Sequence, residues 1–232
     1  MGFFAQLPDY WEAFVRLAYP SYCGACRAFL ALDERDICHA CRAKLPGLLF
    51  TPEESASSES LESLDEAWTL FPYASPVREI ITGIKFEKKR WLVRTFEEAV
   101  TERARMLAAE NHYDALVPVP VSKRTLVKRE FNQAELIAGL VRKATGIPIA
   151  SRLLAKRSGA AAQSHLTREE RQVNLRGIFR KTGGSRIRGL SFLLIDDIMT
   201  TGATAAETAR ILKQHGARRV DLFALARTLR AS

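Results

Sequence analysis

The sequence predicts an α/β protein: a mostly parallel sheet with helices on both faces, preceded by a small unit held together by cysteines. From Trp68 onward, strand-like apolar runs alternate with helical periodicity, the order that builds parallel sheets. All four cysteines of the chain lie between Cys23 and Cys41. The charge is divided: residues 1–74 carry 5 Lys/Arg against 11 Asp/Glu, residues 75–232 carry 30 against 15, and the net +9 therefore belongs to the C-terminal body. A chain of 232 residues, 47% hydrophobic and 26% charged, suffices for one core plus an appendage. That composition excludes a disordered polymer, a fibre and a large multidomain machine.

Along the chain, Phe3, Phe4, Leu7, Trp11, Phe14, Val15 and Leu17 recur at helical spacing. They predict an amphipathic helix over 1–19, packed on the body or touching a partner or membrane surface. The cysteine unit occupies 20–46. The acidic, serine-rich stretch 47–67 reads as a mobile linker, and the body runs from 68 to 232. Within the body, strands are expected at 67–73, 115–120, 149–155, around Arg176–Phe179, at 190–195 and at 219–226, with helices at 77–86, 91–109, 131–145 and 203–215. No apolar run reaches the roughly 18 residues of a membrane span, and the first charges, Asp9 and Glu12, do not make a signal peptide's basic leader. A soluble, cytoplasmic protein is the expectation.

Cys23, Cys26, Cys38 and Cys41 are written C-x2-C-x11-C-x2-C. Each C-x-x-C turn aims two thiolates into one hemisphere, and two turns complete the tetrahedron that Zn2+ prefers. The segment is too short for its own core, so the metal supplies its folding free energy. Two disulfides, redox use and an iron–sulfur cluster are the competing readings, the first disfavoured in a reducing compartment. Four thiolates leave His39 a bystander and no open position for catalysis.

Residues 190–217 carry the most chemistry. A buried strand, Phe192 to Ile195, runs into Asp196 and Asp197, then the turn Thr200-Thr201-Gly202-Ala203-Thr204, then a helix. Gly202 lets the backbone approach a phosphate, free amides at the helix start donate to it, and the threonine hydroxyls add donors. G-x-x-x-x-G-K-[ST] and G-x-G-x-x-G are both missing, which argues against an ATPase and a dinucleotide site. Two acids beside an anion site repel phosphate, so they are read as acceptors for neutral hydroxyls on the same ligand. A sugar phosphate meets both demands.

I-D-D-I-M-T-T-G-A-T resembles the 5-phosphoribosyl-1-pyrophosphate (PRPP) signature of type I phosphoribosyltransferases. Together with VPVPVSKRTLVKREFNQAELIAGL, RSGAAAQSHLTREERQVNLRGIF and the four-cysteine head, it resembles the ComF family, phosphoribosyltransferase-like proteins associated with DNA uptake in natural competence. The resemblance implies a type I fold in which Asp196 and Asp197 hold the ribose hydroxyls and residues 200–204 hold the 5′-phosphate. It further implies that Val121 and Ser122, with Lys123 and Arg124 behind them, receive pyrophosphate. A flap bearing Gln163, Arg168 and Arg171 would close over Mg2+-PRPP, with His165 a weaker acid–base candidate. Glu130 departs from the family's R-G-F-N-Q; either no glycine-only angle is needed there or the turn differs. Two functions compete. One is phosphoribosyl transfer to an unidentified acceptor. The other is a non-catalytic PRPP-sensing or scaffolding module that touches single-stranded DNA or a competence helicase, with Phe86, Trp91 and Phe131 the aromatics nearest basic clusters. Oligomeric state is not legible.

Overall fold

The computed structural model describes residues 21–56, 63–157, 177–184 and 186–229. The expected helix over 1–19 and the flap residues lie outside them. The strands are β1 (Ala67–Pro72), β2 (Ala115–Pro118), β3 (Leu154–Lys156), β4 (Phe179–Lys181), β5 (Ser191–Met199) and β6 (Arg219–Arg227). The helices are α1 (His39–Lys44), α2 (Pro52–Ser55), α3 (Val77–Phe86), α4 (Glu97–Glu110), α5 (Lys123–Arg129), α6 (Gln133–Thr145) and α7 (Ala203–Gln214). The main sheet has the order β1-β6-β5-β2 and every neighbouring pair is parallel. β3 and β4 form a separate antiparallel pair.

Alternation along the central strands sorts the core into two layers. Leu193 and Ile195 of β5, with Phe223 and Leu225 of β6, face one apolar cluster containing Ile80, Phe96, Val100 and Ile137 from α3, α4, α6 and the turn before α4. Phe192 and Leu194, with Val220 and Leu222, face the other, which contains Ala209 and Leu212 of α7 and Phe179 of β4. Both faces are covered, as parallel sheets require.

The cysteine unit is not a detached bead. Ile37, Cys41 and Leu45 belong to the same apolar cluster as Leu92 and Phe96 of the body. Gly24 lies so close to the body that an added Cβ would stand 2.5 Å from Leu92 Cδ2 and 3.1 Å from the Asp36 carbonyl. Arg94 reaches Asp36 at 3.2 Å, and Arg27 pairs with Glu87. The stretch expected as linker also starts as ordered structure. Thr51 and Glu54 form a reciprocal capping box at the start of α2, and the buried Ser55 donates to the Thr69 carbonyl at 2.7 Å.

Three elements differ from the sequence expectation. Residues 90–96 wind as a 3₁₀ turn before α4 begins, β5 continues through the two acids to Met199, and α5 was not expected. That helix ends on Glu130 at φ +70° and ψ −10°, so the left-handed turn is present and a non-glycine residue occupies it. Glu130 pairs with Lys88, itself at φ +57°. An exposed pair of this kind contributes little, whereas a left-handed non-glycine residue costs about 1 kcal/mol or more. Glu130→Gly is therefore expected to raise the unfolding free energy by roughly 0.5–1 kcal/mol, read as a higher denaturant midpoint. An unchanged or lower midpoint would contradict this.

Candidate functional site

The carboxyl ends of the parallel strands share one edge, and β5 supplies its centre. Register places Pro118 beside Ile195, and the Val119 amide donates to the Ile195 carbonyl at 2.9 Å. The loop 119–122 thus leaves β2 next to the acid pair. Asn132 fixes that loop. It is buried, its Nδ2 donates to the Val119 carbonyl at 3.0 Å, and its Oδ1 accepts the Ala134 amide at 3.1 Å, capping α6. Ser122 caps α5, its hydroxyl accepting the Thr125 amide at 3.1 Å and pairing with the Thr125 hydroxyl at 2.8 Å. Val121 and Ser122 are half-buried, while Lys123 and Arg124 are exposed in the first turn of α5.

On the other side of the acids, Gly202 caps α7 at φ +71° and offers no capping side chain of its own. The helix's first amides, with the positive end of the helix dipole behind them, form an anion-binding terminus. Thr200 is exposed, whereas Thr201, Ala203 and Thr204 are half-buried around it. The Thr201 hydroxyl accepts a long bond from the Ala203 amide at 3.4 Å. Thr228, beyond β6, braces the turn from behind through the Met199 and Thr200 carbonyls, at 3.1 and 3.2 Å.

The acids have cationic neighbours. Asp197 Oδ2 lies 2.8 Å from Lys85 Nζ of α3, with side-chain exposures of 13% and 15%. Asp196 retains partial access to water but is closely surrounded by protein, and its Oδ1 accepts the Asp197 amide at 2.8 Å. Burial, reinforced by the charge of Asp197, pushes the Asp196 carboxyl up to about 8. Lys156 of β3 also feels Asp196, though burial dominates and draws its ammonium below the ordinary lysine value. Beside the 119–122 loop opens a cavity of about 480 Å3 whose lining includes Val121, Lys123, Lys156, Arg157 and Arg180. The last three stem from the β3–β4 pair, where the Arg157 amide donates to the Ile178 carbonyl at 2.7 Å. Gln163, Arg168 and Arg171, with His165, fall between these two strands and outside the described residues.

In the cysteine unit, the sulfur atoms of Cys23, Cys26, Cys38 and Cys41 lie within 4.8 Å of one another. Four thiolates about 2.3 Å from one ion would stand roughly 3.8 Å apart, so the set suits a tetrahedral metal such as zinc. Burial opposes ionisation of Cys23, but the amides of Cys38, Ala25 and Cys26 outweigh it and bring the thiol down to about 7. His39 turns outward to Asp33 at 2.9 Å. No helix among the described residues is long and apolar enough to cross a membrane.

The family model described as a phosphoribosyl transferase domain matches residues 132–231. Among curated relatives, the DNA utilization protein YhgH of Salmonella typhimurium is 27% identical over 228 residues, covering 92% of this chain and 100% of the relative. Competence protein F of Haemophilus influenzae is 23% identical over 221 residues, covering 88% and 96%. Competence protein ComFC of Bacillus subtilis is 26% identical over 221 residues, covering 86% and 88%. Over most of its length the chain is thus similar to DNA utilization and competence proteins, and its C-terminal part matches a phosphoribosyl transferase domain. The matched phosphoribosyl transferase domain takes in the acid strand, the 200–204 turn and α7, while the loop 119–124 precedes the matched range. Sequence reasoning found every described residue of that signature but missed Lys85, Lys156, Arg157 and Arg180. Only the tertiary structure carries them to the acids or to the cavity beside them.

Proposed function

We propose that this chain is a member of the ComF family that binds PRPP across the carboxyl ends of β5 and β2 and transfers its phosphoribosyl group to an acceptor during DNA uptake. The observation that carries the reading is the start of α7 behind Gly202, on the same sheet edge as Asp196, Asp197 and the loop 119–122. In this reading the α7 amides and the hydroxyls of Thr200, Thr201 and Thr204 take the 5′-phosphate, and Ala203 lends its backbone. Asp196 and Asp197 take the ribose hydroxyls. Pyrophosphate lies along Val121, Ser122, Lys123 and Arg124 toward Lys156 and Arg180, with Gln163, Arg168 and Arg171 closing over it. The C1–O bond to pyrophosphate breaks with its electron pair on the leaving group. The acceptor's nucleophilic atom bonds to C1 and loses its proton to solvent or to a nearby base. Mg2+ bound with PRPP supplies charge neutralisation on the pyrophosphate, while the protein excludes water and positions the nucleophile. The four cysteines hold a structural Zn2+, and the chain works in the cytoplasm.

Calorimetric titration with Mg2+-PRPP is the test. Heat is expected from the native chain, and a loss of at least about 100-fold in affinity from Asp196→Ala with Asp197→Ala, since each buried hydrogen bond to a charged group is worth about 1.5–3 kcal/mol. Native binding matched by the double variant would remove the assignment.

A second reading, contact with single-stranded DNA or a competence helicase, is favoured by the junction of the cysteine unit with the body. A cleft of about 700 Å3 there includes Arg27, Arg35, Lys89 and Arg94 in its lining. Tyr22 and Trp91, 47% and 48% exposed, also line it. Phe86 is exposed as well, with the Arg129 guanidinium 5.1 Å from its ring centre, whereas Phe131 packs against the core. Aromatic faces beside cations suit stacked bases. Fluorescence anisotropy with a labelled single strand should show binding that weakens steeply with salt and falls severalfold in Trp91→Ala. No binding at low salt eliminates the DNA version.

A further inference from the structure

The acid pair poses an electrostatic problem. PRPP carries a phosphate and a pyrophosphate, and two acidic side chains stand at the mouth of its proposed site. One uncompensated charge about 6 Å from a ligand charge, at an effective dielectric near 20, changes affinity by roughly 100-fold before salt screening. Asp197 is compensated from within the chain. Lys85 stands in the last turn of α3, a helix anchored by the fully buried Ile80 and Ile81 and the nearly buried Ile84. From there its ammonium reaches Asp197 at 2.8 Å with both groups largely enclosed. An enclosed ion pair is a poor stabilising device, because desolvation cancels most of the attraction. Its position is better explained by the ligand. Asp196 feels the charges of Asp197, Lys85 and Lys156.

We propose that Lys85 is a positioning residue that acts as the acid pair's built-in counter-cation, so that a polyanionic sugar phosphate enters without a divalent metal at the carboxylates. The ammonium fixes the Asp197 carboxylate, leaving its second oxygen for a ribose hydroxyl, and offsets its charge toward the incoming phosphates. Mg2+ would add charge neutralisation on the ligand when it is bound. This rests on the reading of Asp196 and Asp197 as the contacts for the ribose hydroxyls.

The test is calorimetric titration of the full chain with PRPP, first in chelator and then in millimolar Mg2+. The native chain should bind in both. Lys85→Met should lose at least about tenfold in chelator, after screening, and regain most of it with Mg2+. Lys85→Arg should stay within a few-fold of native in both. Lys85→Met with Asp197→Asn removes both charges and should bind more tightly in chelator than Lys85→Met alone, even if the single variant is poorly folded. A structural role would give equal losses in both buffers and no recovery in the double variant. Native binding with an unchanged Lys85→Met in chelator, or a double variant no better than the single one, overturns this inference and leaves the PRPP reading standing. No heat from the native chain even with Mg2+ overturns both.

Discussion

Replacing Cys41 with serine is expected to take bound metal from about one equivalent to near zero and to unfold the cysteine unit, because a segment this short has little core of its own to hold it without the metal. The damage should not stop at the unit. Ile37, Cys41 and Leu45 share a core with Leu92 and Phe96, and Gly24 lies directly against Leu92, which is 1% exposed. Uncovering a leucine of this kind costs roughly 1.5–3 kcal/mol. For a domain of this size each kcal/mol lowers the melting temperature by about 2–4 °C, so a fall of about 3–12 °C is expected for the body. The measurements are metal content by mass spectrometry and melting by calorimetry, with chelator treatment of the native chain as the parallel route. A serine variant that keeps stoichiometric metal, or that loses metal while the body melts unchanged, would show that the unit is either differently held or energetically separate.

Local features were legible in the sequence, and features made by distant encounters were not. The stretch from Phe192 to Thr204 announced strand, acids, turn and helix because each residue type answers to its immediate neighbours. The structure keeps that order, lengthening the strand so that Asp196 and Asp197 lie on it. The C-x2-C-x11-C-x2-C spacing likewise forecast four sulfur atoms in one place. Its merger with the body's core depends on Gly24 meeting Leu92 far along the chain, and no local pattern reports that. The helix α5 escaped notice because it buries no residue and exposes Leu126 and Val127, so it has no apolar stripe at helical spacing. The capping box of Thr51 and Glu54 was visible in TPEE but lay in an acidic, serine-rich stretch that reads as linker. Lys85 reaches Asp197 only because α3 packs on the sheet face toward which Leu193 and Ile195 point. Glu130 was the clearest conflict between levels: its identity argued against a left-handed turn that the chain nonetheless makes.

Asp196 should make the protein less stable as pH rises from about 4 to about 8, relative to its neutral isostere Asp196→Asn. Its carboxyl is pushed up to about 8 in the folded chain, by burial first and then by the charge of Asp197, while an unfolded aspartate titrates near 3.9. The folded state therefore holds the proton more tightly. Below the unfolded value both states are protonated and no penalty exists; between the two values folding must either keep a proton that the unfolded chain releases or enclose a charge. The penalty grows through that window and levels off above the folded value. Because Asp196 keeps partial access to water, solvent screening reduces the effect well below its unscreened limit, to roughly 2 kcal/mol between pH 5 and pH 8. Asparagine preserves the shape and the Oδ1 acceptor used by the Asp197 amide but does not titrate. Denaturant midpoints of the two proteins should then nearly coincide at pH 4 and separate in favour of the variant by pH 8. Parallel curves across this range would mean that Asp196 is ionised in the folded chain at neutral pH. In that case the edge would present two negative charges to its ligand, and the ammonium groups of Lys85 and Lys156 would have to balance both.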